Sequence, residues 1–215
     1  MRSIFYILLI IVLIPISAFA ELTIDDILSK VEKKYTRAFS TDFVQSSTLK
    51  AIEVTDTASG KAMFKKPGKM RWEYLEPTKQ IIISNGKKLW VYQPKEKQVS
   101  VGSSPAIFGN GKGASFLSDI TLIRKNFIVS LTGESNDNHY AIKLIPREKG
   151  NIDITSIHLL LTKDFIVDSI RTINLYEDET VIKLKNIKFH NNLKDSLFNF
   201  VLPKGVDIIN LTGKE

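Results

Sequence analysis

From residue 39 to residue 190 the hydrophobic side chains keep a period of two, in short runs separated by turn residues. That habit excludes most folds. Alternate side chains of a strand point to opposite faces, so such a chain builds sheet rather than a helical bundle. Strand-like runs lie near 39–50, 59–65, 69–75, 79–84, 88–93, 97–101, 126–133, 138–145, 153–162, 166–176 and 179–190, with Ser59-Gly60, Glu76-Pro77-Thr78 and Asn136-Asp137-Asn138 as punctuation. Asn85-Gly86, between Ile81-Ile82-Ile83-Ser84 and Lys87-Lys88-Leu89-Trp90, is the strongest hairpin signal. As the central pair of a type I′ turn, both residues take positive φ. About eleven such strands predict an up-and-down antiparallel sheet, curled or nearly closed.

One segment before the strands is helical. Ile24, Ile27, Leu28, Val31 and Tyr35 form a single apolar stripe, while Asp25, Lys30, Lys33 and Lys34 occupy the opposite face. Thr23 with Asp26 three residues on is a weaker form of the capping box. An amphipathic helix over 22–37 needs an apolar surface to cover.

A second interruption falls at 102–125. Gly102-Ser103-Ser104-Pro105 and Gly109-Asn110-Gly111-Lys112-Gly113 surround Ile107-Phe108, and Phe116, Leu117, Ile120 and Ile123 then share a helical face. The pattern fits a glycine-hinged flap, and it fits equally a surface loop followed by a core helix.

The first twenty residues are read apart from the fold. Met1-Arg2-Ser3 is basic, Ile4 to Ile16 is almost wholly apolar, and Ala18-Phe19-Ala20 precedes Glu21. This is the pattern of a cleaved secretory signal at 1–20, leaving one domain at 21–215. The chain has no cysteine, so no lipobox is present and no disulfide supports the fold. Stability must come from the apolar core. The formal net charge of +7 suits an acidic partner surface or anionic lipid headgroups.

Motifs for chemistry are scarce. The three histidines, His139, His158 and His190, share no ligand spacing, and no G-x-S-x-G elbow occurs. Gly109–Gly113 matches neither phosphate-loop pattern, and hinge flexibility is its better use. Asp25-Asp26 and Glu177-Asp178-Glu179 are neighbours in a helix start and a turn, whereas glycosidase carboxylates face each other across a cleft. The chain is therefore read as a non-enzyme, with no cofactor and no metal.

Lys65, Lys66, Lys69 and Arg71 beside Trp72 and Tyr74 raise nucleic acid as a ligand. Strand alternation answers against it. Met70, Trp72 and Tyr74 share one face, and Lys69, Arg71 and Glu73 share the other. The rings are expected inside and the charges in solvent. Which residues of Ile81-Ile82-Ile83 join the Trp72 side is open, because the register after Pro77 is uncertain by one residue.

The stretch FKKPGKMRWEYLEPTKQIIISNGKKLWVYQP (64–94) resembles the hallmark region of the periplasmic outer-membrane lipoprotein carrier (LolA) family: an aromatic-basic-Pro corner, a Trp strand, a Pro turn, and the apolar-Ser-Asn-Gly-Lys hairpin closing on Tyr-x-Pro. Phe198-Asn199-Phe200-Val201-Leu202-Pro203-Lys204-Gly205-Val206 is similar to the family's ending. The resemblance implies a curved, incomplete antiparallel β-barrel capped by a helical lid, with lipoprotein acyl chains in the apolar cavity between them. It also implies a monomer that takes cargo from an inner-membrane ABC-type release complex and gives it to an outer-membrane acceptor. Met70, Trp72, Ile82 and Leu89 of the sheet and Phe116, Leu117 and Ile120 of the lid are the expected cavity lining, each of which plain core packing would also explain. The best-studied members carry Arg immediately before the corner proline, where it latches the lid. Here that residue is Lys66, whose ammonium lacks the planar fork. It is either a differently built lid latch or a solvent-exposed lysine. A carrier of another exported lipid or glycolipid, or a lipid-sensing regulatory domain, are the alternatives that the sequence leaves standing.

Overall fold

The computed structural model describes residues 22–104, 115–132, 138–148 and 153–211. The signal segment expected at 1–20, the run 107–113 and most of the turn expected at 136–138 lie outside them. Helix α1 (Ile24–Lys34) starts at the Thr23 cap, where the Asp26 carboxylate accepts the Thr23 amide and the Thr23 hydroxyl accepts the Asp26 amide. Its apolar stripe buries Ile27, Leu28 and Val31, and Tyr35 follows them into the interior.

The strands are β1 (Ala38–Leu49), β2 (Val54–Lys65), β3 (Lys69–Glu76), β4 (Gln80–Asn85), β5 (Lys88–Gln93), β6 (Gln98–Ser103), β7 (Phe127–Leu131), β8 (His139–Pro146), β9 (Ile154–Thr162), β10 (Val167–Asn174), β11 (Glu179–His190) and β12 (Asp207–Asn210). Among the described residues these form one 12-stranded sheet in the order β12-β6-β5-β4-β3-β2-β1-β11-β10-β9-β8-β7. β7 and β12 are its two edges, so the sheet is open. The pairings are antiparallel except that of β12, which runs parallel to β6. Side chains from β1, β2, β3, β5 and β8 to β11 meet α1 in one buried cluster. A flat sheet this wide would hold them apart; the sheet wraps its inner face around them.

The structure departs from three of these expectations. The expected helix over Phe116–Ile123 is broken into a 3-10 turn (Ser115–Ser118) and the short helix α2 (Leu122–Asn126). The cause is local: Asp119 turns its carboxylate onto the Thr121 amide and hydroxyl, a side-chain bond that competes with helix continuation. Phe116, Leu117, Ile120 and Ile123 are nonetheless all buried.

The second change concerns the β4–β5 hairpin, which is present but not as a type I′ turn on Asn85-Gly86. Register pairs Ser84 with Leu89, leaving Gly86-Lys87 as the central pair with Gly86 at φ 88°. Glycine in first place is the type II′ arrangement. Asn85 stays in the strand and its side-chain oxygen accepts the Lys87 and Lys88 amides.

The third change is on the outer face of β3–β6. The charges of β3 do point away from the rings, but not into open solvent. A C-terminal strap, residues 193–200, lies over them. Lys65 and Lys69 each reach Asp195 at 2.7 Å, and Arg71 donates to the Leu197 carbonyl at 3.3 Å. Under the strap Ile83, Val99 and Phe198 are buried, and Phe200 packs on Tyr92. β12, which no periodicity announced, then completes the strap by pairing with β6.

Candidate functional site

The inner face of the sheet carries the main buried apolar cluster, and its register is set by the strand pairs. Trp72 stands opposite Ala62 on β2 and Ile82 on β4, and Met70 opposite Phe64 and Ser84. Ile82 in turn faces Val91, and Ser84 faces Leu89. So of the three isoleucines it is Ile82 that shares the Trp72 side, while Ile81 and Ile83 join Trp90 and Tyr92 on the outer side. The Trp72 ring meets Phe43 and Phe64 edge-on, with centroids 4.8 and 5.3 Å apart.

Gly60 makes that contact possible. A Cβ at this position would fall 1.9 Å from the Glu73 carbonyl oxygen and 2.9 Å from the Phe43 ring. The strand must be bare there for Phe43 to lie across it.

Met70, Trp72, Leu89, Phe116, Leu117 and Ile120 belong to one buried cluster, and Ile82 packs against it. The structure thus brings the seven expected lining residues together, as a packed interior with the cover closed. The 3-10 turn lies on β2 and β3, and α1 sits beside β7. A separate hollow of about 560 Å³ opens at the corner, lined by Pro67, Gly68, Asn85, Gly86, Ser104 and Ser115 among others; none of the seven is among its lining residues.

Polar clasps hold the cover. At the corner, Lys66 Nζ lies 3.0 Å from Asp119 Oδ1, and the Gly68 amide donates to the Ser118 carbonyl at 3.3 Å. Partial burial pushes the Asp119 carboxyl up, but the Thr121 hydroxyl and the Lys66 ammonium more than offset this and hold it below the usual carboxylate value. Behind the corner, the buried Ser84 hydroxyl donates to the Gly68 carbonyl or meets Ser104 Oγ, at 2.9 and 2.7 Å.

The second clasp joins the cover to α1. Arg124 directs Nε to Glu32 at 2.7 Å, Nη1 to the Asp25 carboxylate at 2.6 Å, and Nη2 to the Asp25 carbonyl and Ser29 Oγ at 3.0 Å. Only a guanidinium offers that many donors in one plane. Motif reading missed Arg124, because its acceptors lie more than ninety residues away, 92 for Glu32. A signal was present all the same: Asp25, Ser29 and Glu32 stand at i, i+4 and i+7, one polar stripe on α1.

α1 is anchored at its other end too. Tyr35 OH accepts the Val167 amide at 2.9 Å, and Lys34 Nζ donates to the Asp164 carbonyl at 2.6 Å. Burial pushes the Tyr35 phenol well above its ordinary value. Among the described residues no group of three or more His, Asp or Glu side chains converges in a way that could hold a metal.

Comparison with known proteins agrees with this geometry. The family profile described as "Outer membrane lipoprotein carrier protein LolA" matches residues 34–201. An outer-membrane lipoprotein carrier protein of Nitrosomonas europaea is 28% identical over 208 residues, 97% of this chain and 98% of that one. One from Nitrosospira multiformis is 28% identical over 173 residues, covering 80% and 82%. Among solved structures, an uncharacterised conserved protein from Thermus thermophilus superposes with a TM-score of 0.54 at 14% identity, over 86% of this chain and 98% of that one. A LolA-superfamily protein from Nitrosomonas europaea gives 0.50 at 14% identity, over 84% and 99%. The structural likenesses speak for the fold; the profile, which spans most of the chain, places it in the outer-membrane lipoprotein carrier protein (LolA) family.

Proposed function

We propose that this protein is a soluble periplasmic carrier that shelters the acyl chains of lipoproteins between the inner face of its sheet and the cover formed by 115–126 and α1. The observation that carries the reading is a continuous apolar inner face under a cover that packs Phe116, Leu117 and Ile120 onto it and is fastened at its rim by polar clasps. Residues 1–20 export the chain, and 21–215 form the carrier domain. Met70, Trp72, Ile82 and Leu89 meet the acyl chains from the sheet, and Phe116, Leu117 and Ile120 from the cover. Lys66 serves as the corner latch in place of arginine.

The physical need for such a carrier is large. At about 0.8 kcal/mol per CH₂, exposing one acyl chain of ordinary length to water costs on the order of 10 kcal/mol. A lipidated protein does not cross an aqueous space unaided. Release requires that the empty interior also be satisfied, and a cover that packs its own Phe116, Leu117 and Ile120 into it competes with cargo. Loading from an inner-membrane release complex and delivery to an outer-membrane acceptor are then exchanges between apolar environments, without covalent chemistry. The test is transfer: incubate the protein with spheroplasts that release lipoproteins and ask whether lipoproteins become soluble with it. Their appearance in a complex is the expected result; their retention on the spheroplasts would refute the reading.

A further inference from the structure

Hairpin tips are ordinarily polar, and two neighbouring tips of this sheet are not. Ile52 at the β1–β2 turn is 64% exposed, and Leu175 and Tyr176 at the β10–β11 turn are 65% and 76% exposed. Leu49 and Val54, opposite each other at the base of the first hairpin, extend the apolar surface. The tips are adjacent because β1 pairs with β11 up to Thr48–Glu179, and the Lys50 amide donates to Asp178 Oδ1 at 2.9 Å across the gap.

The second tip is rigidly built. Asn174 Oδ1 accepts the Tyr176 and Asp178 amides, each at 2.8 Å, and its Nδ2 donates to Asp178 Oδ2 at 3.0 Å. The Glu177 amide closes on the Asn174 carbonyl, with Glu177 at φ 61°, and the Leu175 amide donates to the Asp153 carbonyl. A turn so thoroughly bonded presents Leu175 and Tyr176 in a fixed pose, which lowers the entropy lost on binding. Exposed apolar clusters of this kind mark interaction sites, and tyrosine is a frequent anchor in them.

Charge selects the partner. The protein is basic overall, yet within the two tip segments, 49–56 and 174–179, Glu53, Asp56, Glu177, Asp178 and Glu179 stand against one lysine, Lys50. Arg171 lies 3.8 Å from Glu179 and answers one of them. An anionic bilayer would be repelled by such a rim. Beside the tips runs a groove of about 660 Å³, lined by Thr48, Lys50, Ile173, Leu175, Glu177 and Glu179 among others, so that two carboxylates stand in it against one ammonium. We propose that the paired tips are a docking surface for a protein partner that presents apolar side chains flanked by arginine or lysine, the apolar groups meeting Ile52, Leu175 and Tyr176 and a cation entering the groove. This surface is distinct from the covered interior and does not depend on the identity of the cargo.

The probe is a hexapeptide of alternating arginine and tryptophan, titrated into the full chain and followed by backbone amide shifts, with the glutamate–tryptophan counterpart as control. Shifts concentrated at 49–54 and 174–179, seen only with the cationic peptide, are expected. The double variant Ile52→Ser, Tyr176→Ser should weaken binding about tenfold or more, with an unchanged melting temperature because neither side chain is buried. Shifts elsewhere, equal response to both peptides, or binding that survives the double variant would overturn the proposal. So would sedimentation with phosphatidylglycerol-containing vesicles that the double variant abolishes, since the tips would then serve a membrane.

Discussion

Lys66 holds Asp119 at 3.0 Å across the inner side of the corner, while Lys65 and Lys69, on either side of it in sequence, turn outward to share Asp195. Three lysines in five residues thus grip the cover on one side of the sheet and the C-terminal strap on the other. The interleaving of charge and aromatic residues at 64–77 is accounted for: the rings fill the interior, and the cations are the fastenings of its two coverings.

Asp119→Asn removes the ion pair and leaves the shape. Both side chains are about a quarter exposed, so the loss in global stability should be about 0–1 kcal/mol. The cover should nonetheless loosen, seen as increased binding of an apolar fluorescent dye at constant melting temperature. Unchanged dye binding would remove Lys66 from the latch.

Arg124→Ala deletes the clasp to α1. A loss of about 1–2 kcal/mol is expected, measured by urea unfolding, since the group is partly exposed and bonds charged partners. Arg124→Lys should recover only part of it, because an ammonium replaces the fork by a single point charge. Hydrogen exchange should rise along Ile24–Lys34 and Leu122–Asn126 together; a rise in only one of them would show that the two are not joined through Arg124.

Acid should loosen the strap around Asp195 before it unfolds the sheet, while Phe198 and the β12–β6 pairing keep it in place. Hydrogen bonds from Lys65 and Lys69 lower the Asp195 carboxyl from 3.8 to about 2. A carboxylate whose value is depressed by folding stabilises the native form above its unfolded value, and that contribution fades as pH falls from 3.8 through about 2. Fluorescence of Trp90, which lies beside Phe200 with centroids 6.5 Å apart, should change over that window. In Asp195→Asn the change should be absent, because the carboxylate that titrates against Lys65 and Lys69 is gone.

Gly60→Ala places a methyl group into the Glu73 carbonyl and the Phe43 ring, and overpacking of that kind costs about 1–3 kcal/mol. The thermal midpoint should fall accordingly. A neutral effect would mean that the β3 backbone at Glu73 gives way and that a bare strand at residue 60 is not required.

Much of this was legible in the sequence, for identifiable reasons. The period of two located β1 to β11 because each buries one face, and the stripe on α1 was visible because it covers an apolar surface. The inward set Met70, Trp72 and Tyr74 followed from alternation alone. What escaped was long-range or against pattern. β12 is four exposed residues, so no periodicity marks it. The break at Asp119 comes from a single side chain outbidding helix propensity. The Arg124 clasp and the Asp195 pairs depend on which distant segments meet, which turn signals do not specify. The II′ turn reflects a register shift of one residue, the quantity that alternation leaves least determined.

The central claim is that acyl chains enter between the cover and the Trp72 face, and the two tryptophans allow it to be tested within one molecule. Trp72 faces the interior and Trp90 the outer side. Two single-tryptophan variants, Trp90→Phe and Trp72→Phe, are each mixed with a lipoprotein whose acyl chains carry bromine, a contact quencher. The account predicts strong quenching of Trp72 and little of Trp90. Equal quenching of both, or quenching of Trp90 alone, would contradict it.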